Sequence, residues 1–354
     1  MSSDSGGFTP FSDCPLPFRD TSQILLGHGS GGKLTGELIE KLLLPAFNND
    51  ALSQLDDQAI LTIGDSRIAF TTDSYVVTPI FFRGGDIGSL AVNGTINDLA
   101  MGGAVPKFLS LALILEEGLA MGDLERVVAS IGEASRAAGV AIVTGDTKVV
   151  GRGSGDKIFI NTAGIGIVPE GITLSSKQVR PGDDILLSGP IGDHGIAILS
   201  QREGLEFDGE IASDTAPLHT LVAAMLKASS SIHAMRDPTR GGLAATLVEI
   251  ATRQHLGMEI DEPSIPVREV VRGACEILGL DPMFVANEGK LVAFVPSESS
   301  DDVLRAMREH PLGRDAVRIG RVVEDSSGRV RLRTPIGGYR LLDLPFGELL
   351  PRIC

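Results

Sequence analysis

The spacing of apolar residues along the chain predicts short strands that alternate with amphipathic helices. Apolar runs bounded by turn residues predict strands at residues 59–63, 67–72, 140–144, 159–168 and 185–188. Apolar residues three or four positions apart predict a helix ended by Pro45, a second helix opening at Asp86 and a third at residues 123–138. Because hairpin signals occur among these elements, the pattern favours an α+β fold over a doubly wound parallel sheet.

The length of 354 residues predicts two domains, each large enough to bury a core. We expect residues 1–48 to form a polar arm, a glycine-rich loop and a helix. The first domain is expected over residues 49–171 and the second over residues 172–340. Residues 341–354 contain two prolines and no apolar stripe long enough to pack, which predicts a flexible C-terminal tail.

The composition narrows the classes of function. Acidic residues number 46 against 31 Lys and Arg, and the formal charge of −15 opposes binding to nucleic acid or to anionic membranes. No apolar stretch approaches the ~18 residues of a membrane span, and no secretory signal is visible, so we expect a soluble, cytoplasmic protein. The three cysteines are too few and too widely spaced for a metal cluster or a disulfide framework.

A glycine-rich segment at residues 27–33 is the first candidate for ligand binding. It fits seven positions of a phosphate-binding loop, but Leu34 stands where a Ser or Thr would hold magnesium. Backbone amides in such a loop can bind phosphate oxygens, and the candidate residues are His28, Gly29, Ser30, Gly31, Gly32 and Lys33. Alternatively, the glycines only make a tight entry into the helix that follows.

Carboxylates at predicted element ends are candidate magnesium ligands, namely Asp57, Asp73, Asp98 and Asp146. Magnesium in nucleotide sites takes one or two carboxylates together with phosphate oxygens and water. Asp98 lies on an otherwise apolar helix face, where an unpaired charge is costly, and Asn93 and Asn97 lie beside it. Asp98 could instead cap a frayed helix end, and Asp57 could lie in a solvated turn.

Three further residues could take part in catalysis. Cys354 is a thiol on the predicted flexible end, where Arg352 favours the thiolate and the adjacent carboxylate opposes it. Glu288 interrupts two apolar runs and could act as a general base, while Lys148 follows a predicted strand exit and could reach into a cleft. The ordinary alternatives are an incidental terminal residue, a hairpin turn and a solvated surface lysine.

Other polar residues are interpreted as structural. Asp237, Thr239 and Arg240 in a second glycine-rich turn are expected to cap a helix. His28 and His194 each lie between glycines, which should expose their rings, and neither has a second histidine at metal-binding spacing. We therefore predict no zinc site.

Taken together, these motifs resemble the HypE family of hydrogenase maturation proteins, within the PurM-like ATP-binding superfamily. The resemblance spans residues 27–354 and rests on residues 28–32, 72–75, 97–98, 144–149, 192–195, 236–242, 286–289 and 351–354. The terminal Pro-Arg-Ile-Cys is the most specific segment, since the others support only the superfamily. The resemblance implies a two-domain PurM-like α+β fold and a homodimer formed through the first domains.

The resemblance also implies an ATP-dependent carbamoyl dehydration. A HypF-like carbamoyltransferase would load a carbamoyl group onto the Cys354 sulfur, ATP would phosphorylate its oxygen, and loss of phosphate would leave a thiocyanate. A HypC–HypD complex carrying iron would receive the cyanide ligand of the [NiFe] hydrogenase centre. The glycine-rich loop, Asn93, Asn97 and Thr147 would bind ATP with Mg²⁺, and Glu288 or Lys148 would assist deprotonation.

Two other functions stand as alternatives. A different PurM-like kinase or synthetase would use the same ATP site on a free small molecule. A non-enzymatic ATP-binding scaffold would use its tail only to dock a partner. A P-loop NTPase fits least well, because Leu34 lacks the metal-binding hydroxyl.

Overall fold

The structure, a computed structural model, describes residues 23–47, 49–207, 209–345 and 353–354 of the chain. The predicted arm over residues 1–22, with Cys14, lies outside the described residues, as do residues 346–352 of the predicted tail. The described chain opens with a 3-10 turn at Leu26–Gly29, followed by α1 (Lys33–Leu38), a π-helical turn (Ile39–Leu43) and α2 (Leu44–Phe47).

The first helical segment does not end at Pro45, as the sequence predicted, but continues to Phe47. Residues 33–47 are helical without a break, and Pro45 follows closely on the π-helical turn, where the α-helical hydrogen-bond pattern is already interrupted. The predicted apolar stripe is also not buried within this chain, since Leu42 and Phe47 are 60% and 63% exposed.

The first domain is built on a five-stranded sheet covered on one face by two helices. Its elements are β1 (Ala59–Ile63), β2 (Ser66–Tyr75), β3 (Phe81–Phe82), β4 (Gly85–Asp86), α3 (Ile87–Met101), β5 (Val105–Glu116), α4 (Met121–Ala138), β6 (Ala141–Val150) and β7 (Ile158–Ile167). The strand order is β1-β2-β7-β5-β6, and β5 and β6 pair in parallel while the other neighbours are antiparallel. The α+β prediction is confirmed.

Strand β6 differs from its predicted form. The sequence ended this strand at residue 144 and placed Gly145–Lys148 in a loop, but the strand runs on to Val150 because it pairs with β5 up to Glu116. Asp146, Thr147 and Lys148 therefore lie on an exposed edge strand.

The second domain contains a seven-stranded sheet with helices packed against it. Its elements are β8 (Asp183–Leu187), α5 (Asp193–Glu203), α6 (His219–Ala228), β9 (Ala234–Arg236), α7 (Gly242–Gln254), β10 (Gly257–Asp261), α8 (Glu269–Leu278), β11 (Val292–Pro296), α9 (Ser297–Glu309), β12 (Val317–Val323), β13 (Val330–Arg333) and β14 (Tyr339–Leu342). The strand order is β14-β13-β10-β12-β8-β11-β9. Strand β14 extends into the segment predicted as tail, because it pairs with β13 as far as Leu342.

Helix α3 joins the two domains. Asp86 caps its N-terminus by accepting hydrogen bonds from the amides of Gly88 and Ser89, at 2.8 and 2.9 Å. The helix is buried on nearly all sides because it packs on the first sheet and on α6 of the second domain. One apolar cluster accordingly includes Leu99 of the first domain and Leu221 of the second. The polar residues of α3 are thereby fixed at the domain junction.

The other face of the first sheet carries exposed apolar side chains. Phe70, Ile165 and Phe108 are paired in register across three adjacent strands and are 42%, 39% and 47% exposed. Within the described residues, nothing in this chain covers these side chains. Among the same residues, no helix is both long and apolar enough to span a membrane.

The core of the second domain depends on large apolar side chains in β11. Phe294 is fully buried, so we expect Phe294→Ala to lower the free energy of unfolding by about 3–5 kcal/mol, through lost apolar burial and the cavity left behind. Urea denaturation followed by circular dichroism measures this change. The matched variant Phe47→Ala removes an exposed ring and should change stability by less than about 0.5 kcal/mol. Equal losses in both variants would contradict the described core.

Candidate active site

Three carboxylates from separate parts of the chain meet at the domain junction. Asp57 precedes β1, Asp98 lies in the last turn of α3, and Asp237 directly follows β9. Each offers an oxygen atom within 4.8 Å of those of the other two. Thr71 on β2 donates its hydroxyl to Asp98 Oδ2 at 2.9 Å, and Arg236 Nε lies 2.7 Å from Asp57 Oδ1.

Burial makes this carboxylate cluster electrostatically unfavourable when all three groups are ionised. The pKa values of Asp57 and Asp98 are raised well above their usual range, first by burial and then by neighbouring carboxylates. Burial also raises the pKa of Asp237 to about 6. Asp57 Oδ2 is buried and accepts no hydrogen bond from the described residues. Buried carboxylate oxygens with so little positive charge around them are suited to bind a hard divalent cation such as Mg²⁺.

The predicted magnesium ligands divide between two places. Asp57 and Asp98 lie together as part of the carboxylate cluster, while Asp73 on β2 lies close enough to influence the pKa of Asp98. Asp146 instead lies on the exposed strand β6 and pairs with Lys148, at 2.9 Å between Oδ2 and Nζ. Asp237 was interpreted from the sequence as a capping residue. The sequence signal that could have identified it is a carboxylate directly after a short strand.

The end of the chain is held beside this cluster. The amide of Val76, just after β2, donates to an oxygen of the terminal carboxylate of Cys354 at 3.0 Å. The side chain of Ile353 is 4% exposed and belongs to the apolar cluster of the first domain. The tail was expected to be flexible throughout, but its last two residues occupy a defined position; for residues 346–352 that expectation stays a prediction.

Arg240 links the chain terminus to the carboxylates. Its interaction with Cys354 is the largest cause of a raised Arg240 pKa, and Asp73 and Glu288 add to it. Its side chain stays accessible to solvent. Sequence reasoning assigned Arg240 only a capping role, because nothing local indicated that the chain terminus returns to this turn.

The glycine-rich loop lies against the Arg240 turn. A Cβ added to Gly31 would lie 3.0 Å from the carbonyl oxygen of Arg240, so a side chain there would push the two loops apart. The amide of Lys33 donates to the carbonyl of Pro345 at 3.1 Å, which places the start of the predicted tail on the same loop. His28 lies in the 3-10 turn and interacts with the backbone of Leu25.

Glu288 lies in the wall of the site between the two domains. Its side chain is 3% exposed, and Oε1 has no hydrogen-bond partner among the described residues. Its backbone amide donates to Asp214 Oδ1 at 3.0 Å. Burial, followed by the charges of Asp237 and Asp214, raises the Glu288 pKa well above its usual range. A carboxyl group of this kind can hold or accept a proton near neutral pH.

The two asparagines of α3 are held by contacts to the second domain. Asn97 donates to the backbone carbonyl of Glu288 at 3.2 Å and accepts a hydrogen bond from the amide of Leu218 at 2.7 Å. Asn93 donates to Thr215 Oγ1 at 3.3 Å, and its own side-chain oxygen is buried without a partner among the described residues. Asn97 thus positions Glu288, and Asn93 keeps an acceptor available.

The prediction that the ring of His194 is exposed was wrong. The ring is fully buried, with Nε2 2.7 Å from the carbonyl oxygen of Ile353 and Nδ1 2.7 Å from Ser213 Oγ. The flanking residues Gly192 and Gly195 do not open the ring to solvent. They allow the first turn of α5 to pack closely against neighbouring side chains, since a Cβ on Gly195 would collide with Cγ1 of Val285.

Comparisons with known proteins agree with this fold. The family models "AIR synthase related protein, N-terminal domain" and "AIR synthase related protein, C-terminal domain" match residues 55–168 and 180–333. These domains define a protein of the PurM-like class, with two AIR synthase-related domains.

Closely similar relatives identify the family within this class. The chain is 57% identical over 327 residues to "Carbamoyl dehydratase HypE" of Azotobacter vinelandii, covering 92% of this chain and 96% of the relative. A solved HypE in complex with ATP is 51% identical, with a TM-score of 0.79 over 94% of this chain and 100% of that one. A chain from a HypE–HypF complex is 47% identical, with a TM-score of 0.83 over 87% of this chain and 99% of that one. The chain belongs to the HypE family.

The carboxylate cluster predicts an unusual dependence of stability on pH. Because these carboxyls have raised pKa values, the folded state binds protons more tightly than the unfolded state. Without divalent cations, the contribution of these carboxyls to stability should therefore rise as the pH falls through about 6, where Asp237 titrates, and Asp57 and Asp98 act in the same direction. Asp98→Asn removes one charge and should raise the metal-free free energy of unfolding at neutral pH by about 1 kcal/mol.

Urea denaturation in EDTA and in MgCl₂, followed by circular dichroism, measures both effects. Mg²⁺ should stabilise the native chain at neutral pH and have much less effect on Asp98→Asn. Asp146→Asn, which changes an exposed carboxylate outside the cluster, is the matched control and should behave like the native chain. An Asp98→Asn variant that is less stable in EDTA and keeps the full Mg²⁺ response would contradict the proposed cation site.

Proposed function

We propose that this protein is an ATP-dependent carbamoyl dehydratase that carries its substrate on the sulfur of Cys354. The observation that carries the proposal is the position of the chain terminus, because Val76 holds Cys354 beside Arg240 at the buried carboxylate site. The relatives named carbamoyl dehydratase and the solved relative in complex with ATP support the same activity. A free substrate would give no reason for the chain terminus to lie beside the site.

The chemistry requires removal of the carbamoyl oxygen and of two protons from its nitrogen. Hydroxide is a poor leaving group, so the γ-phosphoryl group of ATP is transferred to the oxygen, giving ADP and an O-phosphorylated thioimidate as one N–H proton leaves. The C–O bond then breaks, phosphate departs and the second N–H proton leaves, which makes the C≡N bond of a thiocyanate on Cys354. The net change is the loss of one water.

Glu288 is the better candidate for the base. It is buried in the same site as Arg240, and its raised pKa suits proton transfer near neutral pH. Lys148 instead pairs with Asp146 on the exposed strand β6 and is 70% exposed. Arg240 would stabilise negative charge near the sulfur or on the transferred phosphoryl group.

Asp57, Asp98 and Asp237 would hold Mg²⁺, and Asp73 lies near them. The ion would neutralise charge on the ATP phosphates when bound. The glycine-rich loop lies against the Arg240 turn, so its backbone amides are near enough to this site to contribute to phosphate binding. Asn93, with its unpartnered buried oxygen, would complete the nucleotide site.

The partners follow from the reaction. A HypF-like carbamoyltransferase would supply the carbamoyl group, and a relative of this chain is solved in a complex with HypF. An iron-carrying HypC–HypD complex would accept the cyanide, which becomes a ligand of a [NiFe] hydrogenase centre. These steps would take place in the cytoplasm.

The exposed face of the first sheet supports a homodimer. Phe70, Ile165 and Phe108 form an apolar row across it, and such a face is stabilised when a second copy covers it. The two sheets would then share one core. Thr147 and Lys148 on the neighbouring strand β6 would lie near this interface.

The carbamoyl-carrier function is tested by the intact mass of the protein after incubation with its carbamoyltransferase, carbamoyl phosphate and ATP. The native chain should gain one carbamoyl group and then lose one water, and the loss should require ATP. Cys354→Ala should show neither change, while Glu288→Gln should gain the carbamoyl group and dehydrate at least about 100-fold more slowly. Cys275→Ala, which changes a buried thiol elsewhere, is the matched control. An unmodified native chain with an active partner would exclude this function.

The homodimer is tested by sedimentation. Phe70→Glu and Phe108→Glu place charges in the apolar row and should convert the dimer to a monomer at micromolar concentration, while circular dichroism stays unchanged. Ile336→Glu changes an apolar side chain that is 96% exposed in the second domain and should leave the mass unchanged. A dimer that persists in both sheet variants would place the interface elsewhere.

A further inference from the structure

The imidazole of His194 contacts the main chain of the C-terminus. It lies in the first turn of α5, with Nε2 2.7 Å from the carbonyl oxygen of Ile353. Phe82 packs edge-on against the ring, at 5.7 Å between ring centroids and 90° between planes. The ring is fully buried, so its orientation is fixed by packing as well as by hydrogen bonds.

The hydrogen-bond network assigns the tautomer of His194. A carbonyl oxygen can only accept, so Nε2 must carry the hydrogen. Ser213 Oγ accepts a hydrogen bond from the amide of Thr215 at 3.1 Å, which leaves its hydroxyl hydrogen for Nδ1 of His194 at 2.7 Å. Burial lowers the His194 pKa, which favours this neutral form. Ser213 therefore keeps the Nε2 hydrogen directed at the tail.

Two further contacts complete what we call the tail anchor, formed by Val76, His194 and Gly195. The amide of Val76 donates to the terminal carboxylate of Cys354 at 3.0 Å. Gly195 leaves space for the buried side chain of Ile353, since a Cβ there would lie 3.2 Å from Ile353 Cδ1. The anchor thus binds the carbonyl oxygen of Ile353, the terminal carboxylate of Cys354 and the side chain of Ile353.

These contacts determine where the thiol lies. With the carbonyl of Ile353 and the terminal carboxylate of Cys354 both bound, the backbone of the last residue has little freedom, and its side chain starts from a fixed point near Arg240. A reacting group held in this way gains effective concentration relative to one on a mobile end. Two hydrogen bonds are also weak enough together to break when the thiol leaves for another partner.

We propose that the tail anchor positions the modified thiol for dehydration, with His194 as its central positioning residue. This inference rests on the proposed function, because it assigns the anchor to one step of that reaction. His194 does not touch the reacting atoms; it acts through the main chain of Ile353. Loading by the carbamoyltransferase requires the tail to leave the anchor, so loss of His194 should not slow this step.

The first test measures the position of the tail without any catalysis. In a Cys14→Ser background, the rate at which iodoacetamide alkylates Cys354 is followed by intact mass, and Cys354→Ala reports any labelling of Cys275. His194→Leu removes the donor and should speed alkylation about tenfold, the effect of one lost hydrogen bond to a buried carbonyl. His194→Gln can donate from about the position of Nε2 and should stay near the native rate. His255→Asn, at an exposed histidine, is the control.

The second test separates loading from dehydration. With carbamoyltransferase, carbamoyl phosphate and ATP, His194→Leu should be carbamoylated at least as fast as the native chain and dehydrate about tenfold more slowly. His194→Gln should recover most of the dehydration rate. Ile353→Ala and Ser213→Ala should also slow dehydration without slowing loading, but to a smaller extent than His194→Leu. Ile353→Ala changes only the tail, so it keeps the test valid even where His194→Leu unfolds.

The outcomes are distinct. The anchor is supported if His194→Leu speeds alkylation and slows dehydration while His194→Gln keeps both rates near those of the native chain. Unchanged alkylation and dehydration in His194→Leu and Ile353→Ala would overturn it, as would equal losses of loading and dehydration in a chain with lowered melting temperature. If the native chain is loaded but never dehydrates, the proposed function fails, while the alkylation rates still decide whether His194 holds the tail.

Discussion

Carboxylates repel one another strongly once they are removed from water, yet this chain gathers Asp57, Asp98 and Asp237 at the junction of its two domains. The repulsion must be balanced by the packing of the surrounding fold and by positive charge. Arg236 supplies part of that charge at Asp57. The negative charge that Arg236 leaves unbalanced explains why the site suits a divalent cation with a polyphosphate. It also explains why the apolar core beside the site has to be extensive.

Helix α3 provides the rigidity that this arrangement needs. Its N-terminus is capped by Asp86, its middle packs against both domains, and its last turn delivers Asp98 to the cluster. Asn97, one residue earlier, fixes the backbone of Glu288 on the second domain. One buried helix therefore places the candidate cation site and the candidate base at a set separation, so a shift of either domain would disturb both.

In the proposed carrier role, the terminal thiol must be able to move rather than stay rigidly placed. A carrier that is loaded by one partner and unloaded by another must bind its own active site reversibly. The contacts from Val76 and His194 to the last two residues are few, and each is worth little on its own. The electrostatic interaction of Cys354 with Arg240 adds to these contacts. Binding of this strength would let the C-terminal tail move between its own site and the partner proteins.

The sequence alone determined the local structure: apolar spacing predicted helices and strands near their observed positions, and a carboxylate on an apolar helix face identified Asp98. It could not assign Asp237 to the cluster, nor predict that the ring of His194 is buried against Ile353, because these contacts join residues far apart in the chain. It also ended β6 early, since the pairing with β5 that extends the strand is non-local. Periodicity records which side of an element is buried. Only tertiary packing decides which distant residues meet there.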